Sequence, residues 1–251
     1  MDWYDVTSCN HCGGTDFKLY MESSVPTWYA GRPMRLIECT KCGYVPVSPR
    51  PDPIFLYRNY ISGGPKQREL LQKKLDRPNV LEVHRTHVET AQKYLGRKAK
   101  TLYDMGCGAG TVMMGARDLG IEAAGNDVNK VSVDMLREMG LDAKHGFTKD
   151  LDLPADAYDI VMNFDYLEHS YEPFDDLKTC YRITRPGGIL YLKTLYLGCP
   201  DHVAKGEAWH LLGQGHFSFF TADALKAMIK NAGFKLESVK AGGLITVVAR
   251  K

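Results

Sequence analysis

The 251-residue sequence predicts an α/β protein with a doubly wound sheet, preceded by a small amino-terminal segment that binds metal. Three observations support this prediction. Strands and helices alternate from residue 100 onward, a glycine-rich turn follows the first of these strands, and two Cys-x-x-Cys pairs precede them. Such alternation is typical of a parallel sheet that is covered by helices on both faces.

The composition is that of an ordinary globular protein. Hydrophobic residues make up 44% of the chain and charged residues 25%, and the net charge of +2 does not demand a nucleic-acid partner. No stretch approaches about eighteen consecutive apolar residues, so we expect no membrane partner. The acidic amino end shows no signal peptide. We expect a cytoplasmic protein whose seven cysteines are reduced unless they hold metal.

The predicted sheet has seven strands with helices between them. The strands are predicted near 101–104, 121–126, 142–145, 158–163, 188–195, 234–240 and 244–250. The helices are predicted near 110–119, 129–139, 173–184 and 221–232. Only residues 241–243 separate the last two strands, which indicates a hairpin and therefore an antiparallel last strand.

The glycine-rich turn reads Asp104-Met-Gly-Cys-Gly-Ala-Gly110 and opens a predicted helix. Glycine lets the backbone approach a ligand closely, so strand, turn and helix form a cradle of nucleotide size. An acid beside the turn would repel a pyrophosphate but would favour a cationic ligand. Asp127 ends the next strand, where a carboxylate suits the two hydroxyls of a ribose. The same acid could also help to cap the helix that follows.

This pattern resembles the class I S-adenosylmethionine-dependent methyltransferases, whose cofactor carries a sulfonium and an ammonium. The segment 158–169 resembles their fourth strand and Glu-His segment, and the resemblance covers residues 99–251. It implies a Rossmann-like sheet, with Asp104 near the ammonium and Val128 against the adenine. Where these enzymes often place an acid, this chain aligns Phe147, which could pack on adenine instead. The predicted cofactor-binding residues are Asp104, Gly106, Gly108, Gly110, Asp127, Val128, Phe147 and Asn163.

Two histidines are the predicted catalytic residues. His169 follows the fourth strand, and an imidazole with a reference pKa of about 6.5 can accept a proton from a hydroxyl. The alternative is that His169 orders its loop or packs on the cofactor. His216 lies in the stretch 196–220, a predicted substrate segment whose ending resembles a methyltransferase branch acting on quinones, sugars and other small molecules. No tight ligand spacing supports a catalytic metal here.

Cys9, Cys12, Cys39 and Cys42 form two Cys-x-x-Cys-Gly knuckles. Four thiolates suit a closed tetrahedral zinc site with a structural role, and this spacing predicts a zinc ribbon. A rubredoxin-like iron site and disulfides are the alternatives. His11, between the first two cysteines, is interpreted as a solvent-facing turn residue, and the proline-rich residues 46–53 as an extended linker. The ribbon could recognise substrate, contact the catalytic domain or mediate dimerisation.

The sequence therefore predicts a zinc ribbon over residues 1–50, a linker with lid and amino-terminal helices over 51–98, and a class I methyltransferase domain over 99–251. The lid is placed within residues 54–78. The expected reaction is O-methylation of a small molecule or sugar, driven mostly by positioning because the sulfonium is already activated. Two alternatives stay open: an RNA nucleobase methyltransferase whose ribbon grips RNA, and a non-catalytic scaffold that binds the cofactor.

Overall fold

The computed structural model describes residues 3–27, 33–56 and 65–251. The lid predicted over residues 54–78 lies partly outside these ranges, and its Tyr57, Tyr60 and Gly63-Gly64 break lie wholly outside them. Across the described ranges, no helix is long and apolar enough to cross a membrane.

Strands and helices are numbered here in chain order over the described residues. The strands are β1 (Trp3–Tyr4), β2 (Phe17–Pro26), β3 (Pro33–Cys39), β4 (Val45–Pro46), β5 (Arg50–Pro51), β6 (Thr101–Met105), β7 (Glu122–Asp127), β8 (Asp142–His145), β9 (Tyr158–Phe164), β10 (Thr184–Thr194), β11 (Ser218–Phe219), β12 (Lys235–Ala241) and β13 (Ile245–Arg250). The helices are α1 (Pro53–Leu56), α2 (Pro65–Leu75), α3 (Val80–Leu95), α4 (Thr111–Asp118), α5 (Lys130–Glu138), α6 (Pro173–Ile183), α7 (Pro200–Lys205) and α8 (Ala222–Asn231). Each strand and helix predicted beyond residue 100 is present near its predicted position.

Seven strands form one sheet in the order β12-β13-β10-β9-β6-β7-β8. The interior strand β6 pairs in parallel with β7 and β9, so that Tyr103 lies opposite Ala124 on one side and Val161 on the other. After β8 the chain returns to the far side of β6, and the carboxyl end of β6 therefore faces a topological switch where α/β sheets bind ligands. β12 and β13 are neighbours joined by residues 242–244, which confirms the predicted hairpin and the Rossmann-like fold with an antiparallel last strand.

Strand β10 begins at Thr184, before the predicted start near residue 188. The carboxyl end of the chain explains the difference. The Gly187 amide donates to the Lys251 carbonyl at 3.0 Å, and the Lys251 amide donates to the Gly188 carbonyl at 3.1 Å. Because Lys251 supplies a neighbouring backbone, residues 184–187 extend the strand before its predicted start.

The chain forms two compact units. Unit 1 comprises Met1–Leu56, Asp165–Lys178 and Lys193–Val247, and unit 2 comprises Tyr57–Phe164, Thr179–Leu192 and Val248–Lys251. In unit 2, Val88, Leu102, Val112, Ile160 and Ile189 are buried in one apolar core. The division into folding domains at residues 50 and 98 stays a prediction.

In unit 1 the proline-rich segment 46–53, predicted as an extended linker, contains part of β4, all of β5 and the first residue of α1. β4 pairs antiparallel with β11, and β5 pairs antiparallel with β1. Residues 45–48 are buried because their backbone groups and side chains are enclosed by these pairings. The interpretation of this segment as a linker was therefore wrong: it is packed structure.

Asp159, at the start of β9, is the centre of a buried ion cluster in unit 2 that the sequence analysis did not identify. Its side chain is 0% exposed, and its Oδ1 accepts from Arg97 at 2.7 Å and from Arg185 at 2.8 Å. Its Oδ2 accepts from the amides of Lys100 at 2.7 Å and Thr101 at 3.3 Å. Burial raises the pKa of the carboxyl, but the hydrogen bonds from Arg97 and the two amides outweigh burial and lower the pKa to about 2.

Replacement of Asp159 by alanine is expected to lower the free energy of unfolding by about 2 kcal/mol, because the buried carboxylate loses its hydrogen bonds from two partly exposed guanidinium groups and two backbone amides. Urea titration measures this loss. Asp152→Ala removes an exposed acid nearby and should change stability by less than about 0.5 kcal/mol. Since the pKa is about 2 in the folded state and about 3.9 in an unfolded chain, the contribution is complete above pH ~4 and disappears as the pH falls towards 2. Equal stability of Asp159→Ala and Asp152→Ala would contradict this role.

Candidate functional site

The glycine-rich turn between β6 and α4 has the open backbone of a ligand cradle. Gly106, Gly108 and Gly110 all have positive φ, at 70°, 49° and 75°. At Gly110 a Cβ would lie 2.3 Å from Leu136 Cδ2, so this glycine allows α5 to pack against the turn. Of the three glycines predicted to bind cofactor, Gly110 is therefore also needed for the packing of α5.

Asp127, at the end of β7, holds the turn in place. Its Oδ2 accepts from the Gly108 amide at 2.9 Å, and its Oδ1 accepts from the Asn129 amide at 2.7 Å. The helix α5 is capped by Asn129, whose side chain accepts from the amides of Val131 and Ser132, so Asp127 is not the capping residue. Each carboxylate oxygen has two lone pairs, and Asp127 can still accept from the two hydroxyls of a ribose.

Asp104, at the carboxyl end of β6, is a buried acid beside the turn, with 4% of its surface exposed. Burial, and to a lesser degree the charge of Asp127, raises the pKa of its carboxyl to about 8. A cationic ligand group would reverse this effect because it favours the ionised carboxylate. The Asp104 carboxylate therefore fits an ammonium ligand, as the resemblance implies.

Titration of Asp104 makes cofactor affinity depend on pH. Below its pKa of about 8 the acid must lose a proton before it pairs with an ammonium. The dissociation constant of S-adenosylmethionine is therefore expected to rise by up to about tenfold per pH unit as the pH falls from 8 to 6. Calorimetric titration should show proton release, seen as a heat that depends on the buffer. The Asp104→Asn variant should bind weakly with a flat pH dependence, and a flat wild-type profile would contradict the assignment.

Asn126 is a site residue that the sequence analysis missed. It lies next to Asp127, is 1% exposed and accepts from the Tyr103 hydroxyl at 3.1 Å. Its Nδ2 donates to the Gly146 carbonyl at 3.2 Å and to Thr148 Oγ1 at 3.1 Å. These bonds join the ends of β6, β7 and β8 in unit 2. In the sequence, Asn126 stands between a glycine and an acid at a predicted strand end. That position alone does not indicate which hydrogen bonds its side chain makes.

The other predicted cofactor residues lie at strand ends of unit 2. Val128 is half-buried after β7, and its carbonyl accepts from His145 Nε2 at 3.1 Å. Phe147 is half-buried after β8. Asn163, near the end of β9, is fully buried, and its Oδ1 has no hydrogen-bond partner among the described residues. An unpartnered buried acceptor fits a site that gains a donor when ligand binds.

His169 and His216 lie together in unit 1, with ring centroids 4.6 Å apart. His169 Nδ1 donates to the Gly215 carbonyl at 2.9 Å, and His216 Nδ1 donates to the Leu211 carbonyl at 2.7 Å. These bonds fix the tautomer and leave each Nε2 with a lone pair. The His169 side chain is exposed, whereas His216 is buried. Burial, reinforced by His169, lowers the pKa of His216 to about 3.

Glu168 completes this group. Its buried carboxylate accepts from Thr194 Oγ1 at 2.6 Å, and burial raises its pKa although His169 opposes the shift. One ligand atom each from Glu168, His169 and His216 lies within 4.8 Å of the others. Two imidazoles and a carboxylate at this spacing are able to hold a divalent cation. The fold thus brings together ligands whose sequence spacing had given no support to a metal.

The four ribbon cysteines also come together, and all are free. The sulfurs of Cys9 and Cys42 are 3.5 Å apart, as are those of Cys12 and Cys39, and all four lie within 4.8 Å of one another. A tetrahedral site with Zn–S bonds of about 2.3 Å has edges of roughly 3.8 Å. The cysteine geometry therefore fits a zinc ion.

His11 contradicts the expectation of a solvent-facing residue. It is 8% exposed, its ring lies 5.0 Å from that of Phe174, and its Nε2 accepts from Asn231 Nδ2 at 2.9 Å. Burial lowers its pKa. The first knuckle is therefore packed into unit 1 on the side where His11 projects.

The chain is similar to known methyltransferases. Residues 71–239 match the family described as "Methyltransferase domain". A "Ubiquinone biosynthesis O-methyltransferase" of Parvibaculum lavamentivorans is 23% identical over 154 residues, covering 54% of this chain and 59% of the relative. A "Probable S-adenosylmethionine-dependent methyltransferase" of Mycolicibacterium smegmatis is 27% identical over 157 residues, covering 61% and 59%. The chain thus spans about three-fifths of the length of these curated relatives.

Solved structures show the same fold. The crystal structure of the Burkholderia thailandensis 1,6-didemethyltoxoflavin-N1-methyltransferase, with bound S-adenosylhomocysteine, has a TM-score of 0.59 at 16% identity and covers 84% of this chain and 96% of that one. At this identity the likeness concerns the fold. Because the family match extends over more than half of the sequence, the chain belongs to the class I S-adenosylmethionine-dependent methyltransferases.

Proposed function

We propose that this protein methylates a hydroxyl group of a small molecule, with S-adenosylmethionine as the methyl donor. The observation that supports the proposal is the hydrogen bonding and the exposure of the His169 side chain. Its Nδ1 is committed to the Gly215 carbonyl, so that an exposed imidazole presents Nε2 as a proton acceptor. An acceptor hydroxyl needs such a base as its oxygen becomes the nucleophile.

The residues of unit 2 that would hold the cofactor are those of the cradle. Asp104 would pair with the ammonium, Asp127 would accept from the ribose hydroxyls, and the turn at Gly106–Gly108 would lie close to the ligand. Val128 and Phe147 would pack on the adenine. When bound, S-adenosylmethionine supplies an activated methyl group, so the protein contributes mainly position and orientation.

Within the histidine group, His169 takes the base role and His216 does not. A pKa of about 3 makes His216 a poor proton acceptor at neutral pH. The Glu168 carboxylate, held by Thr194, would stabilise the charge that His169 acquires. We therefore propose that His216, which the sequence predicted as a catalytic residue, supports His169 and is not itself the base.

The relatives support a small-molecule acceptor. Those named as ubiquinone biosynthesis O-methyltransferases act, by their names, on oxygen in a small-molecule pathway. The net charge of +2 gives little electrostatic attraction for RNA. Quinols, phenols and sugars are therefore the acceptors that we would test before RNA.

Zinc at Cys9, Cys12, Cys39 and Cys42 is part of the same proposal. The sulfur spacing supports a closed structural site, since four thiolates leave no position for water. Native mass spectrometry of the purified protein should show one zinc ion per chain. Iron in its place would give the coloured, redox-active rubredoxin-like alternative. The cytoplasmic location stays a prediction.

Methyl transfer is tested by incubating the full chain with S-adenosylmethionine and separate panels of phenols, quinols, sugars and RNA. Formation of S-adenosylhomocysteine together with an O-methylated small molecule is the expected result. Product only with RNA would favour the nucleobase methyltransferase. Cofactor binding with no product in any panel would favour the non-catalytic scaffold and contradict the proposal.

A further inference from the structure

We infer that the two cysteine knuckles position the His169–His216 pair through a continuous hydrogen-bonded path. A metal ion bound by the four cysteines would then hold the segments that carry these histidines, residues 166–172 and 215–219, in one conformation. This inference rests on the proposed function, because it gives the histidine pair its role. All of the groups involved belong to unit 1.

The second knuckle contributes Tyr44. The Tyr44 carbonyl accepts from the Cys39 amide at 2.9 Å, so its backbone closes the knuckle turn. Its side chain is 1% exposed, and its hydroxyl lies 2.6 Å from Ser218 Oγ. Ser218 Oγ in turn donates to the Ser170 carbonyl at 2.6 Å. Because a carbonyl only accepts, the Ser218 proton is committed to Ser170, and Tyr44 must be the donor to Ser218.

The backbone that leaves this knuckle continues the path. β4 pairs with β11, which begins two residues after His216. The Val47 amide donates to the Phe217 carbonyl at 3.0 Å, and the Phe217 amide donates to the Glu168 carbonyl at 2.8 Å. The residue after His216 is therefore bonded to the ribbon on one side and to the residue before His169 on the other.

The first knuckle caps the helix that follows His169. Asn10 Oδ1 accepts from the Phe174 amide at 2.7 Å, and Asn10 Nδ2 donates to Asp175 Oδ2 at 2.7 Å. A side-chain oxygen that accepts from the first turn of a helix is the defining contact of an N-cap, supplied here from a distant segment. With the packing of His11 on Phe174, the first knuckle contacts the segment 165–178 directly, whereas the second is joined to it through Ser218.

Loss of the metal should therefore loosen the histidine pair before it affects the cofactor cradle. A metal that binds four thiolates supplies the folding energy of a segment with little core of its own. The bonds that hold the cradle, from Asp127 and Asn126, come from unit 2. The metal-bound ribbon is therefore a positioning element for the His169–His216 pair.

The test is hydrogen exchange of the full chain, read by mass spectrometry before and after zinc removal with a chelator. Peptides covering residues 166–172 and 215–219 are expected to exchange about tenfold faster or more without zinc, whereas those covering 104–110 and 122–127 should keep their rates. Unchanged exchange at 166–172 and 215–219 after confirmed zinc loss would overturn the inference.

Two zinc-bound variants keep the test decisive if the chelated chain unfolds throughout. Tyr44→Phe removes the donor to Ser218 and should speed exchange in the same two peptides by about fivefold to tenfold. Thr40→Val is the matched control, because Thr40 is an exposed hydroxyl of the same knuckle that bonds only to the Asp16 carbonyl within the ribbon. Equal exchange in the two variants would overturn the path through Tyr44.

A spectroscopic reading separates positioning from general stability. The imidazole Cε1–H resonances of His169 and His216 should shift in Tyr44→Phe and stay in place in Thr40→Val, with S-adenosylmethionine affinity unchanged in both. None of these measurements needs an acceptor. If methyl transfer fails but the expected exchange pattern is observed, the proposed function alone is contradicted. If methyl transfer succeeds but the exchange pattern is absent, this inference alone is contradicted.

Discussion

Asp127→Ala weakens the binding of S-adenosylmethionine by more than about 100-fold. The carboxylate accepts from the Gly108 and Asn129 amides in the free protein and would accept from the ribose hydroxyls in the complex. A hydrogen bond to a charged group contributes about 1.5–3 kcal/mol, and the loss of two corresponds to about 3 kcal/mol or more. Isothermal titration calorimetry measures the dissociation constant directly.

The matched control for this prediction is Asp118→Ala. It removes the same charge from an exposed position at the end of α4 in the same unit, and its affinity should equal that of the wild type. Thermal unfolding of both variants separates a loss of binding from a loss of folding. If Asp127→Ala binds the cofactor within a few-fold of the control, Asp127 is only a structural tie for the glycine turn.

His169→Gln lowers kcat for a hydroxyl acceptor by about 100-fold to 10,000-fold, which is the usual contribution of a general base. Glutamine keeps a polar side chain of similar reach but cannot take up the proton. Because the cofactor cradle does not include this residue, the dissociation constant of S-adenosylmethionine should be unchanged.

His210→Gln is the control for the base assignment. His210 is an exposed histidine of the segment 196–220, and its ring lies 3.7 Å from Asp201. Its replacement should leave kcat and the pH profile unchanged. A His169→Gln variant that retains wild-type turnover would show that the acceptor needs no base from this position, as the interpretation of His169 as a loop-ordering residue implies.

Local chemistry made much of the fold predictable. The alternation of strands and helices and the two-strand hairpin at the carboxyl end are short-range patterns. They were sufficient to predict the elements and a parallel sheet with an antiparallel last strand. The capping of α8 by Thr221 is also local: its side chain accepts from the Ala224 amide. The clearest error beyond residue 100, the early start of β10, arose because its partner is the last residue of the chain.

The predicted site was less complete than the predicted fold. Asp104 and Asp127 lie at strand ends, where the order of strands is sufficient to place them. Asn126 and Asp159 were missed because each is defined by partners from several strands and turns. Glu168, His169 and His216 were seen separately, and their common geometry emerges only when the segment 215–219 is placed against 166–172.

The sequence by itself determined the class of fold and the family, and it identified the glycine-rich turn and the four cysteines that come together, because each depends on residues close together in the chain or on the regular succession of strands and helices. The tertiary structure alone decided what the amino-terminal segment contacts. The packing of His11 against Asn231, the hydrogen bond between Tyr44 and Ser218 and the pairing of β4 with β11 join residues more than 150 positions apart. No local pattern encodes such contacts, because they form only when packing excludes water from buried polar groups and each must find a partner inside the protein.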